Sequence, residues 1–182
     1  MSKNQVERLN DALAQQLAIP WTDDKSGAER VWFLVFEPTM LRRVDARKDL
    51  FRQTVVGAGK HWTEIDLSLE FGDWMANHRY AERYFSRPQL ARNLADTFAE
   101  DLAAKIVERI VGLSDDSLIA LTGTEAVYGL VRLSHLIHLI EDKIPGRLLV
   151  FFPGSYAQPN YQFLNAREGW NYLAVPILAG TV

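Results

Sequence analysis

Two histidines at helical spacing are the first residues in this sequence that could do chemistry. His135 and His138 stand three residues apart, so on a helix they could share a metal ion, and two acidic residues follow them. Catalytic zinc usually takes three protein ligands, and no HExxH motif occurs in the sequence. His61 and His78 have no motif around them. We therefore predict unconnected histidines, no metal site and no cofactor.

The fragment GAGKH at residues 57–61 is the nearest approach to a phosphate-binding loop. In the motif Gly-x-x-x-x-Gly-Lys-Ser/Thr, Thr54 would replace the first glycine and His61 would replace the hydroxyl residue. The fragment also precedes a predicted strand, whereas a working loop opens a helix. We interpret it as the C-terminal cap of a helix, where glycine is favoured.

The segment TGTE at residues 122–125 follows a predicted strand and is predicted to open a helix. Free amides and the helix dipole attract anions to such a position. However, Thr122 and Glu125 match a capping box that would use those amides, and Glu125 would repel a phosphate. Capping is the favoured interpretation, and ligand binding at this loop stays as the alternative.

The residue content excludes several classes of enzyme. Without cysteine, the chain can form no disulfide, no thiolate nucleophile and no cysteine metal site. The Gly-x-Ser-x-Gly elbow of α/β-hydrolases is absent. Because no nucleophile, base or metal set converges in the sequence, we predict that the protein is not an enzyme.

Two groups of exposed-type residues are candidates for binding a partner. Basic residues cluster on the helix after the first strand, where acidic residues interleave with them, so a solvated face and an electrostatic patch both remain open. Tyr80 and Tyr84 lie in a charged, weakly structured stretch, where they could be interface anchors or core residues. Tyr156 follows a Pro-Gly pair at a strand end, where ligands and partners meet open α/β sheets. The candidate partner-binding residues are Arg42, Arg43, Arg47, Tyr80, Tyr84 and Tyr156.

Length, composition and charge fit one domain over residues 1–182. The chain has 182 residues, 48% of them hydrophobic, which is enough for a substantial core. Its net charge of −3 argues against non-specific nucleic-acid binding, so direct contact with nucleic acid is not expected. No signal-peptide core and no run of about 20 apolar residues occurs, so we predict a cytoplasmic protein without membrane contact.

The hydrophobic pattern alternates between strands and helices. An amphipathic helix is predicted within residues 1–19, because Val6, Leu9, Leu13 and Leu17 recur at helical spacing. Strands are predicted at residues 31–36, 61–67, 117–121, 148–152 and 172–177, and helices at residues 39–56, 71–85, 88–112 and 122–144. The alternation predicts βαβ units and a mainly parallel sheet.

The apolar run at residues 148–152 is predicted to be a central strand, buried on both faces. Pro153 and Gly154 are predicted to end it, and ligands of open α/β sheets meet the loops at such strand ends. The fold class is α/β, a three-layer sandwich with a mainly parallel sheet of about five strands flanked by helices. It would resemble a nucleotide-binding fold without a P-loop, with its last strand antiparallel or at an edge.

Residues 120–156 and the closing NYLAVPI also resemble a known family. A strand ending in Leu-Thr-Gly, a helix with Arg-Leu-Ser-His-Leu and a strand ending in Phe-Pro-Gly-x-Tyr are similar to BrxB, a small component of BREX bacteriophage-exclusion systems. The earlier VWFLVFEP and the strand ending in IDL are consistent with the same family. These motifs are structural and not catalytic.

The resemblance implies a role in a multi-protein defence apparatus. Its implied partners are a PglZ-like protein and other BREX components, and it implies no defined catalytic site. We therefore expect a non-catalytic adaptor or scaffold that docks the PglZ-like protein. The alternative is a nucleotide-responsive regulatory subunit that binds a ligand at the strand-end loops. A weaker third possibility is DNA contact through the arginine-rich helix.

Overall fold

A parallel sheet of five strands forms the centre of the protein. The structure, a computed structural model, describes residues 4–22, 27–87, 94–164 and 170–180. The main strands are β1 (Val31–Phe36), β2 (His61–Asp66), β3 (Ser117–Thr122), β4 (Arg147–Ala157) and β7 (Val175–Leu178). They lie in the order β2-β3-β4-β1-β7, and every neighbouring pair in this order is parallel. The α/β class and the mainly parallel sheet are confirmed.

Unbroken apolar sequence explains which strands lie in the middle. β1 and β3 are buried along their whole length, as is β4 up to Gly154, because helices or a hairpin cover both faces of the sheet. The strands β2 and β7 form the edges, and for β2 the alternating pattern predicted this position. The last strand is parallel to β1, which decides between the two placements left open for it.

Seven helices and a small hairpin surround the sheet in the described part of the chain. The helices are α1 (Gln5–Leu17), α2 (Leu41–Asp45), α3 (Lys48–Gly57), α4 (Glu70–Ala76), α5 (Ala81–Ser86), α6 (Ala95–Ile110) and α7 (Leu133–Ile140). The hairpin pairs the end of β4 with β5 (Asn160–Phe163), and β5 pairs in turn with β6 (Trp170–Asn171), in both cases antiparallel. None of the helices described is long and apolar enough to cross a membrane.

Two hydrophobic cores lie on opposite faces of the sheet and make the fold three-layered. On one face, apolar residues of α1, α2 and α3 pack against the sheet, with Phe51 edge-on to Phe151 at 5.6 Å between ring centres. On the other face, α6, α7 and the hairpin pack against it, and the Phe33 and Phe152 rings stack at 4.9 Å. The predicted N-terminal helix is confirmed, with Asn4 and Glu7 forming its capping box.

The predicted helix over residues 39–56 is interrupted. A 3₁₀ turn (Pro38–Met40) leads into α2, and α3 begins only at Lys48. Arg47 breaks the helix with φ −117° and ψ 15°. The core positions hold nevertheless, since Met40, Val44 and Phe51 are buried. The predicted helix over residues 71–85 is likewise divided into α4 and α5.

The prediction of a capped helix from Thr122 up to Pro145 is wrong over its first half. Thr122 is the last residue of β3, and its hydroxyl donates to Glu64 Oε1 instead of capping a helix. Gly123 and Gly129 adopt left-handed φ values of 65° and 78°, which interrupt a right-handed helix. Only a 3₁₀ turn (Thr124–Val127) forms between them, and α7 begins at Leu133.

The prediction that β4 ends at Pro153 is also wrong. Pro153 still pairs with Phe36 in the parallel register, and from Gly154 onward the strand pairs antiparallel with β5. Proline has no amide to donate at this position, but its carbonyl still accepts the Leu164 amide at 2.8 Å, which ties the strand to the hairpin. A single strand therefore leaves the sheet and becomes one arm of the hairpin.

The long helix predicted over residues 88–112 is α6. Its predicted start at Pro88 lies outside the described residues, and the described helix begins at Ala95. It ends at Ile110, and Gly112 follows with a φ of 84°, as expected for a glycine beyond a helix end. Its apolar stripe faces the sheet, as predicted.

Candidate functional site

A lysine among carboxylates lies at the carboxyl end of β2 and β3. Lys48 Nζ pairs with Glu64 Oε1 at 2.7 Å, and the Thr122 hydroxyl donates to the same oxygen at 3.0 Å. Burial lowers the pKa of Lys48, but the Glu64 hydrogen bond and the charges of Asp66 and Asp45 outweigh it and raise that pKa. Lys48 therefore stays charged and holds these carboxylates together.

The carboxylates around Lys48 respond differently to their surroundings. Burial raises the pKa of Glu125 and of Asp45, and the neighbouring negative charges add to the rise. Burial would also raise the pKa of Asp66, but the Ser68 hydroxyl and amide, at 2.5 and 2.9 Å, hold it below its usual value. Within the described residues no group of three or more acidic or histidine side chains could hold a metal ion.

The crevice where this sheet would bind a ligand is occupied by the protein itself. After β1 the chain crosses to one face of the sheet, and after the neighbouring strand β4 it crosses to the other face. Open α/β sheets bind ligands between two neighbouring strands whose connections diverge in this way. Here the two 3₁₀ turns, Pro38–Met40 and Thr124–Val127, contact the end of β4. The buried Thr124 hydroxyl donates to the Phe151 carbonyl at 2.7 Å. A Cβ on Gly123 would collide with Asp66 and Ser68, so this loop packs closely against the end of β2.

The GAGKH fragment is a helix cap, as predicted. Gly59 has a φ of 77°, its amide donates to the Val56 carbonyl at 2.9 Å, and the Lys60 amide donates to the Val55 carbonyl at 3.2 Å. This pattern is the Schellman motif. The Lys60 ammonium pairs with Asp116 and lies 4.3 Å from the centre of the Trp21 ring.

The two histidines of α7 point to no shared ligand. His138 is 75% exposed and its Nδ1 lies 3.0 Å from Glu141 Oε1, while His135 is exposed on the same helix. His78 instead belongs to an aromatic cluster, with its ring centre 5.3 Å from that of Trp74.

The structure places the predicted partner-binding residues in three separate regions. Arg42 and Arg43 on α2, and Arg47 just after it, are all exposed. Arg43 and Arg47 also line a small cavity of about 330 Å³ beside the start of α1. Their side chains reach solvent beside Asp45 and Asp49, which are also exposed, so both interpretations of this region remain open.

The three tyrosines are under-buried, as expected of interface residues. Tyr80 is 48% exposed and Tyr84 is half-buried, and both contact His78, with ring centres 6.2 and 5.0 Å away. Tyr156 is half-buried on the hairpin and lies 4.5 Å from Tyr161. Tyr80, just before α5, and Tyr84, on α5, thus share one surface, whereas Tyr156 belongs to another element.

The structure also contains a large open groove that the sequence patterns did not indicate. It has a volume of about 1200 Å³ and lies between α6, α7 and the hairpin. Its lining residues are Ala95, Asp96, Ala99, Tyr128, Gly129, Leu130, Val131, Arg132, Leu133, Ser134, His135, His138, Phe163, Trp170, Asn171 and Tyr172. We call this surface the α6–α7 groove.

The aromatic side of the α6–α7 groove is fixed by contacts with the core. The Trp170 and Tyr172 rings lie 5.6 Å apart, and Phe33 lies beneath both at 5.6 and 5.8 Å. The Tyr172 hydroxyl donates to Glu141, and burial together with this carboxylate raises the pKa of Tyr172 above its usual value. The rim is polar, because Arg132 and His135 are exposed.

Comparison with known proteins gives one match. The sequence model of a family described as "BREX protein BrxB" matches residues 68–177, which is more than half of the chain. A search of curated proteins and a search of solved structures each found no significant match. The matched segment contains every residue that lines the α6–α7 groove, together with Tyr80, Tyr84 and Tyr156. It does not contain the arginines of α2.

Proposed function

The chain belongs to the BrxB family and is a component of a BREX phage-defence system, in which we propose that it acts as a non-catalytic adaptor that docks a PglZ-like partner. The main support for this proposal is that the protein's own turns fill the crevice at the carboxyl ends of the strands. Thr124 and the turns around it occupy the position where an α/β sheet would hold a substrate or nucleotide. The open surfaces lie elsewhere and carry exposed or half-buried aromatic and basic side chains, which favours protein binding.

The alternative, a nucleotide-responsive subunit, would need space at the strand-end loops. The Thr124 hydroxyl is bonded to the Phe151 carbonyl, and β4 runs through Pro153 and Gly154 into the hairpin without opening a loop. The carboxylates of Asp66 and Glu125 beside these loops would also repel a phosphate. The geometry therefore supports the adaptor over this alternative.

Affinity co-purification from the native host tests the adaptor. The tagged protein should recover a PglZ-like protein and other BREX components, identified by mass spectrometry. A stable complex should bury on the order of 1,600 Å². If the wild-type protein recovers no BREX component, the adaptor proposal fails.

Two triple variants then test the predicted surfaces. One reverses the charge of Arg42, Arg43 and Arg47 to Glu, and the other replaces Tyr80, Tyr84 and Tyr156 with Ala. At least one of them should lose the PglZ-like protein. The charge reversal R52E on α3, at a residue 54% exposed, serves as the matched control. If both triple variants retain every partner, the predicted surfaces are wrong although an adaptor role could still use another surface.

Thermal shift with a nucleotide panel separates the two functions. We expect no nucleotide, alone or with a divalent ion, to raise the melting temperature. A ligand at 100 times its dissociation constant would add about 2.7 kcal/mol of stability, which such an assay detects readily. A reproducible shift with one nucleotide would favour the regulatory subunit.

A further inference from the structure

We propose that the α6–α7 groove binds an amphipathic helix of a partner protein, with its apolar face on the aromatic side and a carboxylate paired with Arg132. The inference rests on the proposed function, because it names the surface and the chemistry by which this protein docks a partner. None of the six residues predicted from the sequence lies in this groove.

The shape of the groove suits a helix better than a small molecule. Its volume of about 1200 Å³ exceeds the roughly 300–1,000 Å³ of typical small-molecule sites, and it is open along one side. On the α6 wall the half-buried Ala95 lines the groove, whereas Ala99, one helical turn further on, is buried in the core. The small side chain of Ala95 lets a second helix approach within the usual interaxial distance of about 8–10 Å.

The aromatic side offers preformed contacts for apolar anchors. Phe163 is held 5.2 Å from Phe152, and Trp170 and Tyr172 rest on Phe33. Because these rings are already packed on the core, binding would cost little side-chain entropy. Tyr128 adds a ring that is 45% exposed, with its centre 5.7 Å from Phe163. Partly exposed, rigid aromatic residues of this kind dominate binding energy at protein interfaces.

The charge on the α7 side selects an acidic group in the bound helix. Arg132 is exposed and makes no ion pair with any of the residues described, and His135 is exposed beside it. His138, on the same wall, is already paired with Glu141. Among the described residues that line the groove, the one carboxylate is that of Asp96, on the α6 wall. A helix with a carboxylate towards Arg132 would therefore complement the groove.

Two substitutions test the groove by different means, each with a matched control. A95W fills the groove from α6, and A104W places the same side chain on the exposed face of that helix. R132E reverses the charge of the rim, and R52E reverses an exposed arginine on α3. In co-purification from the native host, both groove variants should lose the BREX component that the wild-type protein recovers. Titration of that purified component should show at least a tenfold rise in Kd, with both controls unchanged.

The outcomes distinguish this inference from the function on which it rests. If wild-type protein recovers a BREX component and both groove variants bind it unchanged, the groove is not the docking surface, and the adaptor role stands. If wild-type protein recovers none, both fail. A lysine substitution of a partner carboxylate that restores binding to R132E would establish the ion pair.

Two other occupants of the groove would also overturn the inference. If a segment of this chain fills the groove, A95W should lower the melting temperature by more than about 5 °C relative to A104W, because a buried side chain would be displaced. If a second copy fills it, the wild-type protein should elute as a dimer that both groove variants convert to a monomer.

Discussion

Substitution of Gly154 by alanine should destabilise the protein strongly, because this residue is where β4 leaves the sheet for the hairpin. A Cβ at this position would lie 2.8 Å from Cε1 of Phe152 and 3.1 Å from the carbonyl carbon of Gln162, and closer still to that carbonyl oxygen. Ordinary contact distances begin at 3.4 Å. Neither neighbour can yield easily, since Phe152 is fully buried and Gln162 pairs with Ser155 in the hairpin.

The expected cost follows from this crowding. Overpacking of a core typically costs about 1–3 kcal/mol of stability. Because the new Cβ would collide with both backbone and a buried ring, we expect G154A to lower the free energy of unfolding by about 3 kcal/mol. For a chain of this length, that corresponds to a fall in melting temperature of about 6–12 °C. Urea unfolding should give the free-energy change, and hydrogen exchange should show faster exchange in β5 than in β3, because the strain separates β4 from β5 first.

Gly57 provides the matched control. It is the last residue of α3, and a Cβ there would meet nothing within 4 Å. Alanine is favoured over glycine in a helix by about 0.5–1 kcal/mol, so G57A should raise the melting temperature by about 1–4 °C. If G154A melts within about 2 °C of the wild-type protein, the close packing of β4 against β5 is refuted.

Three further substitutions test the contacts of the sheet. K48M should lower the free energy of unfolding, measured in urea at pH 7, by about 1–2 kcal/mol, because it removes the charge-assisted hydrogen bond to Glu64. The double variant K48M/E64Q should recover part of this free energy, because no unpaired carboxylate is then left at residue 64. E125Q should raise the free energy of unfolding at neutral pH, because the raised pKa of Glu125 means that its charged form is disfavoured in the folded state. This difference between variant and wild type should vanish as the pH falls below 4.5, the ordinary pKa of a glutamate, because Glu125 is then neutral in both the folded and the unfolded state. Y161F should cost about 1–3 kcal/mol, since the Ala174 carbonyl loses a buried donor at 2.7 Å, and a change below 0.5 kcal/mol would contradict this.

The sequence predicts the sheet well because burial on both faces leaves an unbroken apolar run. The strands at residues 31–36 and 117–121 agree with β1 and β3 to within one residue. The edge position of β2 was equally readable, since β2 alternates. For β7, the link without a helical period left an edge as one of two placements. These patterns are local, and each reports directly on the environment of its own strand.

Errors arose where a residue's local preference competed with a long-range contact. Thr122 and Glu125 have the spacing of a capping box, but Thr122 is drawn into β3 and bonds Glu64, which is 58 residues away in sequence. Similarly, Pro153 and Gly154 usually end a strand, yet here the hairpin supplies a donor to the proline carbonyl. No local pattern reveals a partner that comes from another part of the chain.

The α6–α7 groove was missed for the same reason. Its aromatic residues come from three segments, with Tyr128 after β3, Phe163 on β5, and Trp170 and Tyr172 near β6. In sequence each is a single aromatic residue without periodicity. The signal that could have suggested the groove is the density of aromatic residues between residues 151 and 172, where no helix is predicted.

The extent of the family match bears on which surface docks the partner. The match covers residues 68–177, and so it includes the groove and the three tyrosines but leaves out α2 with its arginines. If docking a common partner is what the family shares, the residues that bind it should lie inside the matched segment. We therefore expect R132E and the tyrosine triple variant to impair binding more than reversal of the α2 arginines. The opposite ranking would place docking on α2, outside the matched segment, and would make the groove a feature of the fold alone.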